Sequence, residues 1–156
     1  MGKKRQKKWT IVKIIVIMAF LFSVAGTNVA SAAGYMDNAS YNATIANLYQ
    51  GYSQNYSAIA LLGGGNAYLY YAYQYMYYAR YYMDEAWYYA GYYSTTYGYY
   101  AWLYSDTAYY YYYDAEDNAY AAYYYGNTGY SLYAFYYGGL GSVDGVIAEY
   151  YAAYGN

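Results

Sequence analysis

The chain has 156 residues, of which 38 are tyrosine, and it contains no cysteine, histidine or proline. The missing cysteine and histidine exclude disulfide frameworks, thiol and iron–sulfur chemistry, zinc fingers and catalytic triads built on imidazole. Charge is divided along the chain, because six of the seven cations lie in the first thirteen residues and all nine acids lie from Asp37 onward.

Residues 1–32 have the pattern of a secretory signal peptide. A strongly basic start is followed by an apolar run over 14–26, and Ala30-Ser31-Ala32 supplies small side chains ahead of a cleavage point. The long lysine-rich start resembles the leaders of Gram-positive bacteria. The sequence therefore predicts a secreted protein, located outside the cell or at its surface.

Cleavage is predicted between Ala32 and Ala33, which leaves a tyrosine-rich mature region over 33–156. An uncleaved membrane anchor is the alternative. In both cases the cations stay on the inner side of the membrane, so the tyrosine-rich part lies outside. Contact with a membrane is expected only through the leader before it is removed.

Glycine divides the mature region into predicted helices, and the predicted fold class is all-α. Asp37 or Asn38 can cap the first helix, and Asn66 can cap the second. The predicted elements are a helix over about 38–62, a glycine-rich break at 63–65, a long or kinked helix over about 67–125, and short helices over about 130–137 and 143–154.

Tyrosine pairs recur in the long predicted helix with a period of eleven residues, made of alternating steps of seven and four. Eleven residues in three turns is close to the number of residues per turn in a straight α-helix, and this period favours a right-handed supercoil. The pairs fall in a stripe of about 130°, as wide as a buried helical face. On the opposite side Ala79, Ala90 and Ala101 are small enough to admit a second backbone. The stripe is the predicted self-association face, and its members are Tyr70, Tyr71, Tyr77, Tyr78, Tyr81, Tyr82, Tyr88, Tyr89, Tyr92, Tyr93, Tyr99, Tyr100, Tyr110 and Tyr111.

Two other conformations compete with the helix. Tyrosine alternates with other residues over 71–77, which is a strand pattern, and a β-rich assembly is possible there. A disordered, low-complexity chain is the second alternative, because leucine, isoleucine, valine and phenylalanine make up only about 10% of the mature region.

Three functions from different classes fit this composition. The first is a secreted structural protein that self-associates into a filament, coat or matrix, with oxidative coupling of tyrosines as a means of hardening it. The second is an aromatic module that binds cell-wall or extracellular polysaccharide. The third is extracellular charge transfer through tyrosine arrays.

Several other functions are not expected. An enzyme would have to work without histidine, cysteine or a lysine in the mature region, so no catalytic residue, cofactor or metal site is predicted. Nucleic acid is excluded as a partner because residues 33–156 carry nine acids and one cation, a formal net charge of −8. The predicted partner is a second copy of the chain.

Overall fold

The computed structural model describes residues 34–155, which form four α-helices joined by short turns. They are α1 (Tyr35–Leu61), α2 (Asn66–Ala90), α3 (Thr96–Tyr125) and α4 (Thr128–Ala153). Each helix packs against the next along the chain, and α4 packs back against α1, so the helices form an up-and-down four-helix bundle.

The all-α prediction is confirmed. No strand occurs within 34–155, and the alternating segment 71–77 lies inside α2, so the β-rich and disordered alternatives are wrong for the described part of the chain.

The predicted signal peptide over 1–32 and its cleavage point between Ala32 and Ala33 lie outside the described residues. Over 34–155, no helix combines the length and the apolar character that crossing a membrane requires.

The long or kinked helix predicted over about 67–125 is two helices, because a turn at 91–95 divides it into α2 and α3. Thr95 begins α3 by a local bond, in which its hydroxyl oxygen accepts from the backbone N–H of Gly98 at 3.1 Å. The same hydroxyl donates to the carbonyl of Gly155 at 2.9 Å, which ties this turn to the end of the chain. A single helix of that length would leave its apolar face uncovered, whereas the turn lets α3 cover α2.

The two short helices predicted over 130–137 and 143–154 are one helix, α4. Gly138, Gly141 and Gly145 are buried against other helices and do not interrupt it. A Cβ atom on Gly138 would lie 2.9 Å from the methyl group of Met76, and one on Gly141 would lie 2.5 Å from the ring of Tyr112. These glycines are needed for close approach between helices.

The buried face of each helix follows a spacing of three and four residues, which repeats every seven. The buried residues of α3 are Gly98, Ala101, Ser105, Ala108, Tyr112, Ala115, Ala119 and Ala122. The same spacing runs through the buried residues of α2 and α4. A seven-residue repeat is typical of left-handed helix packing, so the repeat that builds the core differs from the eleven-residue repeat of the tyrosines.

The core is made of small side chains. Alanine supplies most of its apolar residues, and the largest fully buried side chains are Tyr112, Met76 and Met83. Small residues at the contact positions let helix backbones come close together, as in helix pairs within membranes. Polar side chains then reach the backbone of the neighbouring helix, as Gln50 does when its amide donates to the carbonyl of Gly138 at 2.8 Å.

Candidate functional site

The predicted self-association face is divided among α2, the turn at 91–95 and α3. Most of its members are exposed, and the exceptions are Tyr82, Tyr89 and Tyr111, which are half-buried. The alanine side of α2 and α3 is the buried one, and the tyrosine stripe faces outward. The stripe therefore does not form the core of the single chain, and its rings remain available for contact with other molecules.

Four of these tyrosines form a row along the outer side of α2, which we call the tyrosine ridge: Tyr70, Tyr77, Tyr81 and Tyr88. At 100° per residue they lie within about 40° of one another around the helix axis. Each is between 40% and 54% exposed. Their rings meet the ring of the next tyrosine edge to face, with centroids 5.3–5.8 Å apart. The ridge is thus a line of half-exposed rings, braced by their neighbours on the same helix.

Other tyrosines close the seams between helices. On α1 the ring of Tyr49 stacks on Tyr82 of α2 at 5.6 Å, and Tyr56 stacks on Tyr75 at 5.4 Å. On the other side of the bundle Tyr151 of α4 stacks on Tyr104 of α3 at 5.8 Å. Such ring pairs contribute about 0.5–1.5 kcal/mol each beyond the area they bury. Tyrosine therefore has two structural roles, one between helices and one on the outer surface.

A tryptophan pair lies at the end of the bundle where α2 turns into α3. The rings of Trp87 and Trp102 are stacked with centroids 6.4 Å apart, and with Tyr88, Gly91 and Tyr92 they line an open hollow of about 220 Å³. The indole N–H of Trp87 is buried and has no hydrogen-bond partner among the described residues. A buried donor without a partner is uncommon in folded proteins.

The bundle centre contains a chain of three polar side chains. The hydroxyl of Tyr112 donates to the amide oxygen of Asn47 at 2.9 Å, and the amide nitrogen of Asn47 donates to a carboxylate oxygen of Glu149 at 3.3 Å. Burial raises the pKa of the Tyr112 phenol well above its ordinary value, and the nearby carboxylates of Asp144 and Glu149 add to the rise. Burial also raises the pKa of Glu149. Tyr112 is accordingly a protonated donor that fixes α3 against α1, and it is not a reactive phenol.

Arg80 is the only cation after Lys13. It forms an ion pair with Glu116, which joins α2 to α3, and its guanidinium lies 5.6 Å from the ring centroid of Tyr77 and 5.9 Å from that of Tyr109. Both partners of the pair are largely buried, so the pair belongs to the packing of the bundle. Within 34–155 no group of three acidic side chains is placed to hold a metal ion.

Sequence reasoning missed Tyr112, Asn47 and Glu149. Tyr112 lies in the run 109–113, in which five consecutive tyrosines hide the one that points inward. The signal that identifies it is the spacing of small residues, because position 112 continues the series that contains Ala108.

The geometry gives the surface three chemical abilities: aromatic stacking, hydrogen bonding by phenols, and one-electron oxidation of exposed phenols. Comparison of the sequence with models of known families and with curated proteins, and of the fold with solved structures, finds no match.

Proposed function

We propose that this is a secreted structural protein that self-associates through exposed tyrosine rings into an extracellular filament, coat or matrix. One observation carries the proposal: of 38 tyrosines, all within the described residues, only Tyr112 is fully buried. The core of the single chain is mostly alanine, glycine and serine, so most of the tyrosines are not required there. Large aromatic side chains kept at a surface in this number are typical of an interaction surface.

The size of the tyrosine ridge supports this reading. A tyrosine side chain offers about 150–250 Å² of surface, so four half-exposed rings offer about 300–500 Å². That area equals the largest apolar patch of a typical monomeric protein, and it is reached on one helix alone. Burying it against a second copy is worth about 8–12 kcal/mol at 25 cal/mol per Å², before the costs of association are subtracted.

Exposed rings on the other helices favour an open assembly over a closed dimer. α1 presents Tyr41 and Tyr52, α3 presents Tyr110, and α4 presents Tyr133 and Tyr136, all exposed. A molecule with contact surfaces on several sides can bind more than one neighbour, and repeated contacts of that kind build filaments or sheets. Coupling of phenols between neighbouring molecules would then make such an assembly covalent.

The charge of the chain sets the conditions for assembly. Residues 33–156 carry a formal net charge of −8, so copies repel one another at low salt. Because the Debye length falls to about 8 Å at physiological ionic strength, added salt weakens this repulsion and leaves the ring contacts intact. Association should therefore strengthen as salt is added.

The test replaces three ridge tyrosines whose ring partners lie within α2 or its turn: Tyr77, Tyr81 and Tyr88, all changed to Gln. Sedimentation velocity over a concentration series should show association weakened at least tenfold, with the unfolding midpoint almost unchanged. The matched control changes the same residues to Phe, which keeps the rings, and it should associate like the unmutated protein. An unmutated protein that stays monomeric at every concentration and salt level would refute the proposal.

A second candidate function, binding of cell-wall or extracellular polysaccharide, is favoured by the Trp87–Trp102 hollow and its unpaired indole N–H. Sugar rings stack on exposed aromatic faces such as those that line this hollow. Titration with soluble cell-wall polysaccharide should quench tryptophan fluorescence, and Trp102→Ala should abolish the quenching. A monomeric protein that binds glycan would replace the structural proposal with this one.

A further inference from the structure

Two exposed tyrosines that are distant in sequence meet at one end of the bundle. Tyr35 is the first residue of α1, and Tyr92 lies in the turn between α2 and α3. Their rings are stacked, with centroids 4.6 Å apart and an interplanar angle of 21°. This is the shortest separation between two rings within 34–155. The next shortest, 4.8 Å, joins Tyr150 and Tyr154, which are close in sequence. Tyr35 is 57% exposed and Tyr92 is 52% exposed, so both rings are open to an oxidant.

The backbone beneath this pair is firmly held. Met36, next to Tyr35, is buried in a cluster with Ala39 and Ala90, and the half-buried ring of Tyr89 packs against the same cluster. Ala90 lies two residues before Tyr92, so both rings are attached close to one packed point of the bundle. Their proximity therefore follows from the core and does not depend on the chance positions of two flexible segments.

A neighbouring phenol orients the pair. The hydroxyl of Tyr92 donates to the hydroxyl oxygen of Tyr88 at 2.9 Å, which fixes the direction of the Tyr92 ring. The ring of Tyr88 also meets that of Tyr92 edge to face at 5.4 Å, so Tyr92 is held between Tyr88 and Tyr35. The ring of Tyr35 stacks on the face of the Tyr92 ring that Tyr88 leaves uncovered.

We propose that Tyr35 and Tyr92 are an intramolecular cross-linking site, at which the two rings become joined by a carbon–carbon bond under one-electron oxidation. The oxidant is hydrogen peroxide acting through a peroxidase. Each phenol gives up one electron and one proton, and the two phenoxyl radicals couple at the ring carbons ortho to their oxygen-bearing carbons. Each coupled carbon then loses its hydrogen as a proton while its oxygen regains one, which restores two phenols. The protein loses two hydrogen atoms, and one hydrogen peroxide becomes two molecules of water.

The bond would act as a covalent staple in a chain whose 156 residues contain no cysteine. It closes the loop that contains all of α1 and α2, and closing a loop of that length restricts the unfolded chain as a disulfide does. We expect the thermal unfolding midpoint of the cross-linked monomer to rise by about 10 °C. The inference does not rest on self-association, because the bond forms within one molecule.

Trypsin provides a direct test. It cleaves after lysine and arginine, and Arg80 is the only such residue after Lys13, so it separates Tyr35 from Tyr92. The full chain is oxidised at low concentration with a haem peroxidase and limiting hydrogen peroxide, and the monomer fraction is isolated, denatured and digested. The fragments 14–80 and 81–156 should remain joined, at a mass two hydrogens below their sum. Sequencing of the joined species by mass spectrometry should locate the bond at Tyr35 and Tyr92.

Phenylalanine variants separate this site from other ring pairs that bridge Arg80, such as Tyr49 with Tyr82. Tyr35→Phe and Tyr92→Phe should each reduce the joined fraction at least threefold, while both proteins unfold as the unmutated protein does. Tyr133→Phe, at an exposed ring without a ring partner among the described residues, should leave the joined fraction unchanged. Fragments that separate in the unmutated protein, or a joined fraction that Tyr92→Phe leaves unchanged, would overturn the proposal.

Discussion

Gly141→Ala is the substitution that most directly tests how the core is packed. A Cβ atom at this position would lie 2.5 Å from two ring carbons of Tyr112 and 3.2 Å from the Cβ of Tyr111. The Tyr112 ring is fully buried, and its hydroxyl is fixed by Asn47, so it cannot move aside without losing that bond. The substitution also removes a glycine from the middle of α4, which favours the folded state by about 1 kcal/mol.

The clash outweighs this gain. Overpacking a tight core costs about 1–3 kcal/mol, and weakening the bond between Tyr112 and Asn47 costs about 1 kcal/mol or more. After the gain in helix propensity is subtracted, Gly141→Ala should lower the free energy of unfolding by about 2 kcal/mol. In a Tyr112→Leu background the clashing ring is gone, so the same substitution should be neutral or stabilise the protein by up to about 1 kcal/mol.

The assay is urea unfolding of the four proteins of this double-mutant cycle, followed by tryptophan fluorescence. The expected coupling energy is about 2–3 kcal/mol, because the destabilisation seen when Tyr112 is present disappears in the Tyr112→Leu background. An equal destabilisation in both backgrounds would show that the added methyl group does not clash with the ring of Tyr112, and it would refute this account of why position 141 is glycine.

Three further predictions concern the buried polar chain and the outer surface. Tyr112→Phe should lower the free energy of unfolding by about 1–3 kcal/mol in urea titrations, because the amide oxygen of Asn47 loses its donor in a buried site. Burial raises the pKa of Glu149 and of Asp144 in the folded state. The free energy of unfolding should therefore fall as the pH rises from 4.5, the ordinary pKa of Glu, through the raised values. Glu149→Gln should make this fall smaller. Sedimentation should show association weakening as the pH approaches about 10, the ordinary pKa of a phenol, because ionised rings repel.

The sequence predicted the helical class because alanine and the tyrosine period both favour helices, and the run 63–65 marked the first turn. It did not predict the second turn, since the tyrosine spacing stays in phase across 91–95. The local signal there is Thr95, a helix-capping residue that is easily overlooked when periodicity is given more weight.

The buried face of each helix was harder to predict than the helical class, for a physical reason. Tyrosine is large and partly apolar, so a stripe of tyrosine resembles the buried face of a helix. A row of alanines does not give that impression, because each side chain is small. In this bundle the close approach of backbones favours the smaller side chain, and the series through Ala72, Ala79 and Ala86 is the buried one. The positions of Asn47 and Glu149 could not be predicted, because their contacts join α1 to α4 across 102 residues.

The small-residue core also determines how this chain can change over evolutionary time. In most proteins the typical damaging substitution removes volume from the interior and leaves a cavity. Here few buried side chains have volume to lose, and Met76, Met83 and Tyr112 are the main ones. Damage must come mostly from added volume, so most inward positions accept only a small side chain such as alanine, glycine or serine. The outer positions are free of that restriction. The residues on the surface of the bundle can therefore be substituted while those of its interior stay nearly unchanged.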